Sequence, residues 1–304
     1  VLRKNPFRDI YDNKKFKSVL LHREKPANFP FIVDLEPTNY CNLKCLFCGQ
    51  QTMKRQKGFM SWETFRQVVG ECKKYKTPIR FIRWGEPFLH PDIFEFIEYV
   101  KFCKLPLHIT TNGLFLDKEG LENIVRLELD SIIFSFQGAT KEEYELVRNN
   151  NRYDELRENI EGLVGIRDKK PKPYIHITST MTNETEEEIS AFKDYWGKIV
   201  DLVTTGKTNL SRVPTNILRS KETIGRYYRP CTEVYQKLSV NWNGEVTCCC
   251  ADFDDFMIVG DLAVDTLHHI WNTSKRLETF RWMLDNNMHQ SLTLCSTCWH
   301  PYDF

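Results

Sequence analysis

Apolar positions along this chain follow two alternating rhythms. Short β-branched and aromatic runs, FIVDLEP (31–37), IRFIRW (79–84), LHITT (107–111), SIIFSF (131–136), YIHITST (174–180) and VDLVTT (200–205), read as strands. Between them lie longer segments with apolar residues at helical spacing: 61–75, opened by Ser61 as an N-cap, then 91–104, 118–127, 141–167 and 184–199. Strand and helix alternating through residues 31–206 predict an α/β fold, a parallel sheet covered by helices and curled into a partial (β/α)6 barrel. In such sheets ligands gather at the carboxyl ends of the strands.

The pattern then changes. Residues 207–230 carry no clear period and read as a connector or a loop over the site. From 231 to 304 a hairpin is expected in KLSVNWNGEVTCCC (237–250), with Asn243-Gly244 as its turn, followed by a helix or helix pair in DTLHHIWNTSKRLETFRWMLDN (265–286). The expected organisation is therefore an N-terminal extension (1–30), the barrel (31–206), the connector (207–230) and a separate small hairpin-plus-helix unit (231–304).

With 304 residues, 41% hydrophobic, the chain is long enough to bury a large core. A net charge of +1 gives no global field for nucleic acid, and the short basic run Lys54, Arg55, Lys57 reads as a solvated loop. No apolar run approaches the ~20 residues of a membrane span, and no signal-peptide core opens the chain, so a soluble, cytoplasmic protein is expected, with neither membrane nor nucleic-acid partners. Eleven cysteines in such a chain argue for metal or redox chemistry over a disulfide framework. Cys72 and Cys103, alone in predicted helices, read as small buried residues.

The remaining cysteines are grouped. EPTNYCNLKCLFCGQQ (36–51) sets Cys41, Cys45 and Cys48 at C-x3-C-x2-C just after the first strand, over the barrel mouth. Structural zinc or an electron-transfer cluster takes a fourth protein ligand. Three cysteines on a [4Fe-4S] cluster leave one iron free for a small molecule; a chance run or a zinc knuckle is the plain alternative.

CNLKCLFC (41–48) resembles the cluster motif of the radical S-adenosylmethionine (SAM) enzymes, including Phe47 before the last cysteine. RWGEP (83–87) after the second strand is similar to the family's G-G-E-P, TTNG (110–113) follows the third, and SFQG (135–138) the fourth. The resemblance implies that Cys41, Cys45 and Cys48 bind the cluster and that Glu86 engages the SAM amino group. Ser135 and Arg148 are implied at its carboxylate or ribose, and Phe47, Thr111 and Asn112 in the same cofactor-binding set. Trp84 in place of the first glycine and Gln137 in place of an Asp depart from the pattern.

The last quarter is similar to the twitch and SPASM extensions of these enzymes, which bind auxiliary iron–sulfur clusters. The likeness covers Cys231, the G-x-V segment leading to cysteine and Asp252, Ile270-Trp271, and the closing Cys295-x2-Cys298. Relatives place a ligand five residues after the hairpin glycine, which here is Cys249. One auxiliary [4Fe-4S] cluster on Cys231, Cys249, Cys295 and Cys298 is implied, with tetrahedral zinc the alternative.

The resemblance implies reductive cleavage of SAM to a 5′-deoxyadenosyl radical that abstracts hydrogen from a polar small molecule, with an electron donor such as flavodoxin or ferredoxin. Four committed thiolates favour electron transfer by the second cluster, hence an oxidoreductase of dehydrogenase type acting on a sugar or aminocyclitol alcohol. Cys248 and Cys250 flank Cys249 and, as hydrogen donors, would make an epimerase instead. A peptide-modifying maturase is the third reading, set against the single auxiliary cluster and the lack of a leader-binding segment. A non-enzymatic iron–sulfur or zinc module is the fourth. Tyr227, Tyr228 and Arg229 are candidate pocket residues; His268 and His269 read as structural.

Overall fold

The computed structural model describes residues 3–25, 28–181, 184–207 and 231–298. Two N-terminal helices, α1 (Arg8–Tyr11) and α2 (Lys14–His22), precede the barrel. The barrel strands are β1 (Ile32–Leu35), β2 (Ile79–Phe81), β3 (Leu107–Thr111), β4 (Ser131–Ser135), β5 (Tyr174–Met181) and β6 (Leu202–Lys207). Between them run α3 (Trp62–Tyr75), α4 (Ile93–Phe102), α5 (Lys118–Arg126), α6 (Lys141–Arg148), α7 (Tyr153–Arg167) and α8 (Glu186–Trp196). Every strand and helix expected in 31–206 is present, with ends trimmed by a few residues.

The helices start where side chains can satisfy their first free N–H groups. Ser61 accepts from Thr64 N, Asp117 from Gly120 N and Thr140 from Glu143 N, while Thr185 and Glu188 form a reciprocal capping box. α3 ends on Lys76, whose φ of 57° turns the chain out of the helix.

Strand alternation sorts the two faces of the sheet. Leu35, Phe81, Ile109 and Ile132 lie side by side in register, fully buried under the helices, where Phe65 and Phe96 stack. One residue earlier, Asp34, Arg80, His108 and Ser131 form a row on the inner face. Arg80 grips Asp34 with two bonds of 2.6 and 2.8 Å, and Lys237 stands 3.7 Å from the same carboxylate. α1 and α2, which the apolar pattern did not predict, close this face. Phe7 packs edge-on against His108 at 5.6 Å, and the Tyr11 hydroxyl accepts from Arg80.

The C-terminal unit contains β7 (Lys237–Val240), β8 (Glu245–Thr247), β9 (Ile258–Asp261), α9 (Leu267–Thr273) and α10 (Lys275–Asp285). Gly244, at φ +92°, makes the expected hairpin turn. β9 has no counterpart in the sequence reading. The hairpin is also not a free-standing sheet: β7 lies parallel to β1, giving one nine-stranded sheet in the order β6-β5-β4-β3-β2-β1-β7-β8-β9. Backbone groups on the edge of β1 need partners, and β7 supplies them. Among the described residues no helix is long and apolar enough to cross a membrane.

Candidate active site

The segment after β1 is held by its own polar side chains. Asn39 donates to Gln56 O (2.8 Å) and accepts from Gly58 N (2.9 Å), and Thr38 Oγ1 donates to Gly58 O (2.7 Å). These bonds fold the cysteine loop over the carboxyl ends of the strands. A cavity of about 190 Å³ there is lined by Cys41, Cys45, Cys48, Phe47, Glu86, Thr111, Asn112, Ser135 and Arg148, all nominated from the sequence. Leu43, Gln50, Gln51, Arg83, Trp84, Gly85, Thr110 and Gln137 complete the wall.

Two of the three sulfurs already receive hydrogen bonds. Arg148 Nη1 lies 3.4 Å from Cys45 Sγ and Asn112 Nδ2 3.8 Å from Cys41 Sγ. Burial, and after it the Glu86 carboxylate, push the Cys41 thiol up to about 12; burial raises Cys48 as well. Such thiols ionise once positive charge is brought among them, which iron supplies.

Glu86 is buried, and burial raises its pKa despite three donors. Oε1 accepts from Thr111 Oγ1 (2.7 Å) and Phe88 N (3.2 Å), and Oε2 from Asn112 N (2.7 Å). Oε2 keeps acceptor capacity for a cation in the cavity. The departure at Trp84 has a structural explanation. Its φ is not in the left-handed region, so no glycine is required there. Gly85 is different: a Cβ would sit 2.8 Å from Tyr40 O and 2.7 Å from the Thr38 carbonyl carbon.

On the far wall, Arg148 is buried and donates through Nε to Phe136 O (3.2 Å), so it is not a solvated helix charge. Its Nη2 and Gln137 Oε1 are buried with no partner among the described residues. Two unpaired polar atoms of opposite hydrogen-bonding sense at one cavity fit a ligand that both accepts and donates, as an amino acid bearing a ribose does. Gln137, at φ +57°, is held in a conformation that no sequence pattern signals.

In the C-terminal unit Asp252, fully buried, organises the cysteine loop by accepting from Thr247 Oγ1, Phe256 N and Met257 N at 2.8 to 3.0 Å. Burial raises the thiols of Cys231, Cys249 and Cys248, and the sulfurs of Cys298, Cys231 and Cys295 respectively add a smaller push in the same direction. In neither region are three Cys, His, Asp or Glu side chains among the described residues gathered tightly around one point. Cys248 Sγ contacts Met257 O at 3.8 Å inside the hairpin, whereas Cys250 is exposed. Cys72 and Cys103 are buried, His268 stacks on Tyr75 and His269 pairs with Asp265. Tyr227, Tyr228 and Arg229 lie outside the described residues.

Sequence reasoning missed the contacts between the two regions. Arg83 donates to Cys249 O (3.0 Å), Cys250 O (3.3 Å), Asp252 O (2.9 Å) and Asn241 Oδ1 (2.8 Å). The Trp84 indole donates to Asp252 O (2.9 Å). Arg55, read as a solvated loop charge, is buried instead: it pairs with Glu36 at 2.6 and 2.5 Å and reaches Phe253 O. Trp84, the one residue departing from G-G-E-P, was the available signal.

The family model of the radical SAM superfamily matches residues 35–196, and that of SPASM, an iron–sulfur cluster-binding domain, residues 231–299. The tungsten-containing aldehyde ferredoxin oxidoreductase cofactor-modifying protein of Pyrococcus furiosus is 24% identical over 308 residues, spanning 86% of each chain. SuiB of Streptococcus suis bound to S-adenosylmethionine superposes with a TM-score of 0.70 at 17% identity, covering 98% of this chain and 78% of that one. BtrN in complex with AdoMet and 2-DOIA gives 0.58 at 17% identity, covering 92% and 99%.

Proposed function

This chain belongs to the radical SAM superfamily, and on that premise we propose that it oxidises an alcohol carbon of a polar small molecule such as a sugar or aminocyclitol. The radical SAM domain implies a [4Fe-4S] cluster with SAM, and the SPASM domain implies auxiliary iron–sulfur clusters. When bound, the first supplies a 5′-deoxyadenosyl radical able to take hydrogen from carbon. Cys41, Cys45 and Cys48 would hold that cluster, with Asn112 donating to Cys41 Sγ and Arg148 to Cys45 Sγ. Oε2 of Glu86 would take the SAM ammonium and Arg148 Nη2 its carboxylate, with Ser135 and Gln137 available to the ribose. Phe47, Leu43 and Trp84 exclude water from the same cavity.

The observation that carries oxidation is the shared wall. Arg83 lines the SAM cavity and holds the carbonyls of Cys249 and Cys250, which supports a reading in which a substrate in that cavity would lie beside a ligand loop of the auxiliary centre. In this reading Cys231, Cys249, Cys295 and Cys298 would hold that centre, and the chemistry it would supply when bound is one-electron acceptance. The inner face adds three hydroxyls and an imidazole suited to a hydroxylated substrate: Thr110, Thr178, Thr204 and His176, the last two 2.7 Å apart. BtrN, whose solved complex holds 2-DOIA, shares the fold.

A second reading is modification of a bound cofactor, supported by the Pyrococcus furiosus relative, or of a peptide, supported by the fold shared with SuiB, which was solved with its precursor peptide. One assay separates them: anaerobic incubation with candidate polyols, amino sugars and peptides, scored for 5′-deoxyadenosine formed together with substrate loss. Oxidation predicts a product two hydrogens lighter, and Cys249→Ala should sharply reduce it while 5′-deoxyadenosine still forms. Solvent deuterium in a product of unchanged mass class points to epimerisation, with exposed Cys250 as donor, and refutes oxidation. A purified protein holding zinc and no iron refutes the whole account.

A further inference from the structure

The two residues just before G-E-P do something no part of the SAM site requires. Arg83 and Trp84 leave the end of β2, and both line the SAM cavity. Their polar atoms, however, reach across to the loop after β8. All four hydrogen bonds of the two Arg83 Nη atoms end on that loop or on Asn241 at the hairpin turn. Trp84 adds its indole N–H to Asp252 O and packs edge-on against Phe253, with ring centroids 5.6 Å apart. Gly49, one residue past Cys48, completes the contact: a Cβ there would lie 3.1 Å from the Phe253 ring and 3.3 Å from Trp84.

The next two residues are fixed to the other side. Gly85 packs on the Thr38 and Tyr40 carbonyls, Glu86 N donates to Tyr40 O (2.8 Å), and the Glu86 carboxylate is tied to Thr111 and Asn112. Four consecutive residues therefore clamp the SAM-site loop to the cysteine loop of the C-terminal unit.

We propose that Arg83 is a positioning residue for the auxiliary iron–sulfur centre, fixing the Cys249–Asp252 loop against the SAM cavity and raising the centre's reduction potential through its guanidinium charge. The inference rests on the reading that Cys249 ligates that centre. Reduction adds negative charge to a cluster, and a fixed cation beside a ligating residue favours the reduced state. Lysine carries the charge but cannot span four acceptors, because its single ammonium lacks the planar fork. Arg83 thereby makes the auxiliary centre a better acceptor for an electron generated in the cavity next to it.

The test is an anaerobic redox titration of the reconstituted holoprotein, followed by electron paramagnetic resonance, for wild type, Arg83→Gln, Arg83→Lys and Trp84→Phe. Arg83→Gln should lower the auxiliary potential, Arg83→Lys should restore part of it, and Trp84→Phe should leave it near wild type while broadening the signal. Loss of auxiliary iron alone in Arg83→Gln, with the SAM-site cluster kept, also supports the inference. An auxiliary potential unchanged in Arg83→Gln and Arg83→Lys with full iron overturns it, as does loss of both clusters in Arg83→Gln combined with a wild-type potential in Arg83→Lys. Failure of the underlying reading is read separately: Cys249→Ala retaining all its iron removes Cys249 as a ligand whatever Arg83 does.

Discussion

Replacing Gly85 by alanine is a sharp test of how the SAM site is built. The added Cβ would lie 2.7 Å from the Thr38 carbonyl carbon and 2.8 Å from Tyr40 O, where ordinary carbon–carbon and carbon–oxygen contacts are about 3.3–4.0 Å. Thr38 O stands closer still, and all three obstacles are backbone, so the loops must separate by at least about 1 Å. Tyr40 immediately precedes Cys41, and Glu86 immediately follows Gly85, so the displacement falls on both halves of the site. Overpacking of this kind costs about 1–3 kcal/mol of stability. A misplacement near 1 Å in a reacting constellation costs on the order of 10²-fold in rate. The assay is 5′-deoxyadenosine formation by the reconstituted enzyme under a chemical reductant, alongside SAM binding and thermal unfolding. Gly85→Ala should cleave SAM about a hundredfold more slowly and melt earlier. A Gly85→Ala enzyme within about threefold of wild type, with an unchanged melting temperature, would refute the packing argument.

Two further outcomes follow from buried charge. His108 is held neutral, its pKa lowered to about 3 by burial and by Arg80, so its contribution is fully present above the unfolded value near 6.5 and is lost as the pH falls toward 3. Between about pH 7.5 and about pH 5.5 it should remove about 1.4 kcal/mol of folding stability. His176, lowered to about 4 by burial, adds to the slope, so in denaturant titrations His108→Asn should flatten it and not abolish it; an unchanged slope would count against the buried, neutral imidazole. The Arg55–Glu36 pair has side chains only 7% and 0% exposed, and removing one partner strands the other. Arg55→Ala should cost about 3–5 kcal/mol, with strong coupling to Glu36→Gln in a double-mutant cycle; a loss under about 1 kcal/mol would mean the pair is solvated.

Much of this molecule is written locally. Alternation of period two and period 3.6 set out six strands and their helices, because each element's faces are decided by neighbours two to four residues away. The spacing of Cys41, Cys45 and Cys48, and the short runs after β2, β3 and β4, identified the family for the same reason: each motif is continuous in sequence. The residues nominated for the SAM site line one cavity because parallel strands present all their carboxyl ends on one side, whereas the cysteines nominated in the C-terminal unit lie outside it. Local signal is weakest in the four-residue α1 and in β9, too short to show a period, whereas α2 carries Phe16, Val19 and Leu20 at helical spacing within what reads only as an N-terminal extension.

What only the tertiary structure decided depends on strand order. β7 pairs with β1 although some two hundred residues separate them, and nothing in either segment names the other as its partner. That pairing carries the Cys249–Asp252 loop to Arg83 and Trp84, brings Lys237 to Asp34, and buries Arg55, which sequence alone reads as a surface charge. Gln137 reaches the cavity through a left-handed backbone that a dipeptide does not reveal. Sequence determined the chemistry that each segment is able to perform. Long-range strand pairing, whose hydrogen bonds are the same for any residue type, decided which of those segments face each other.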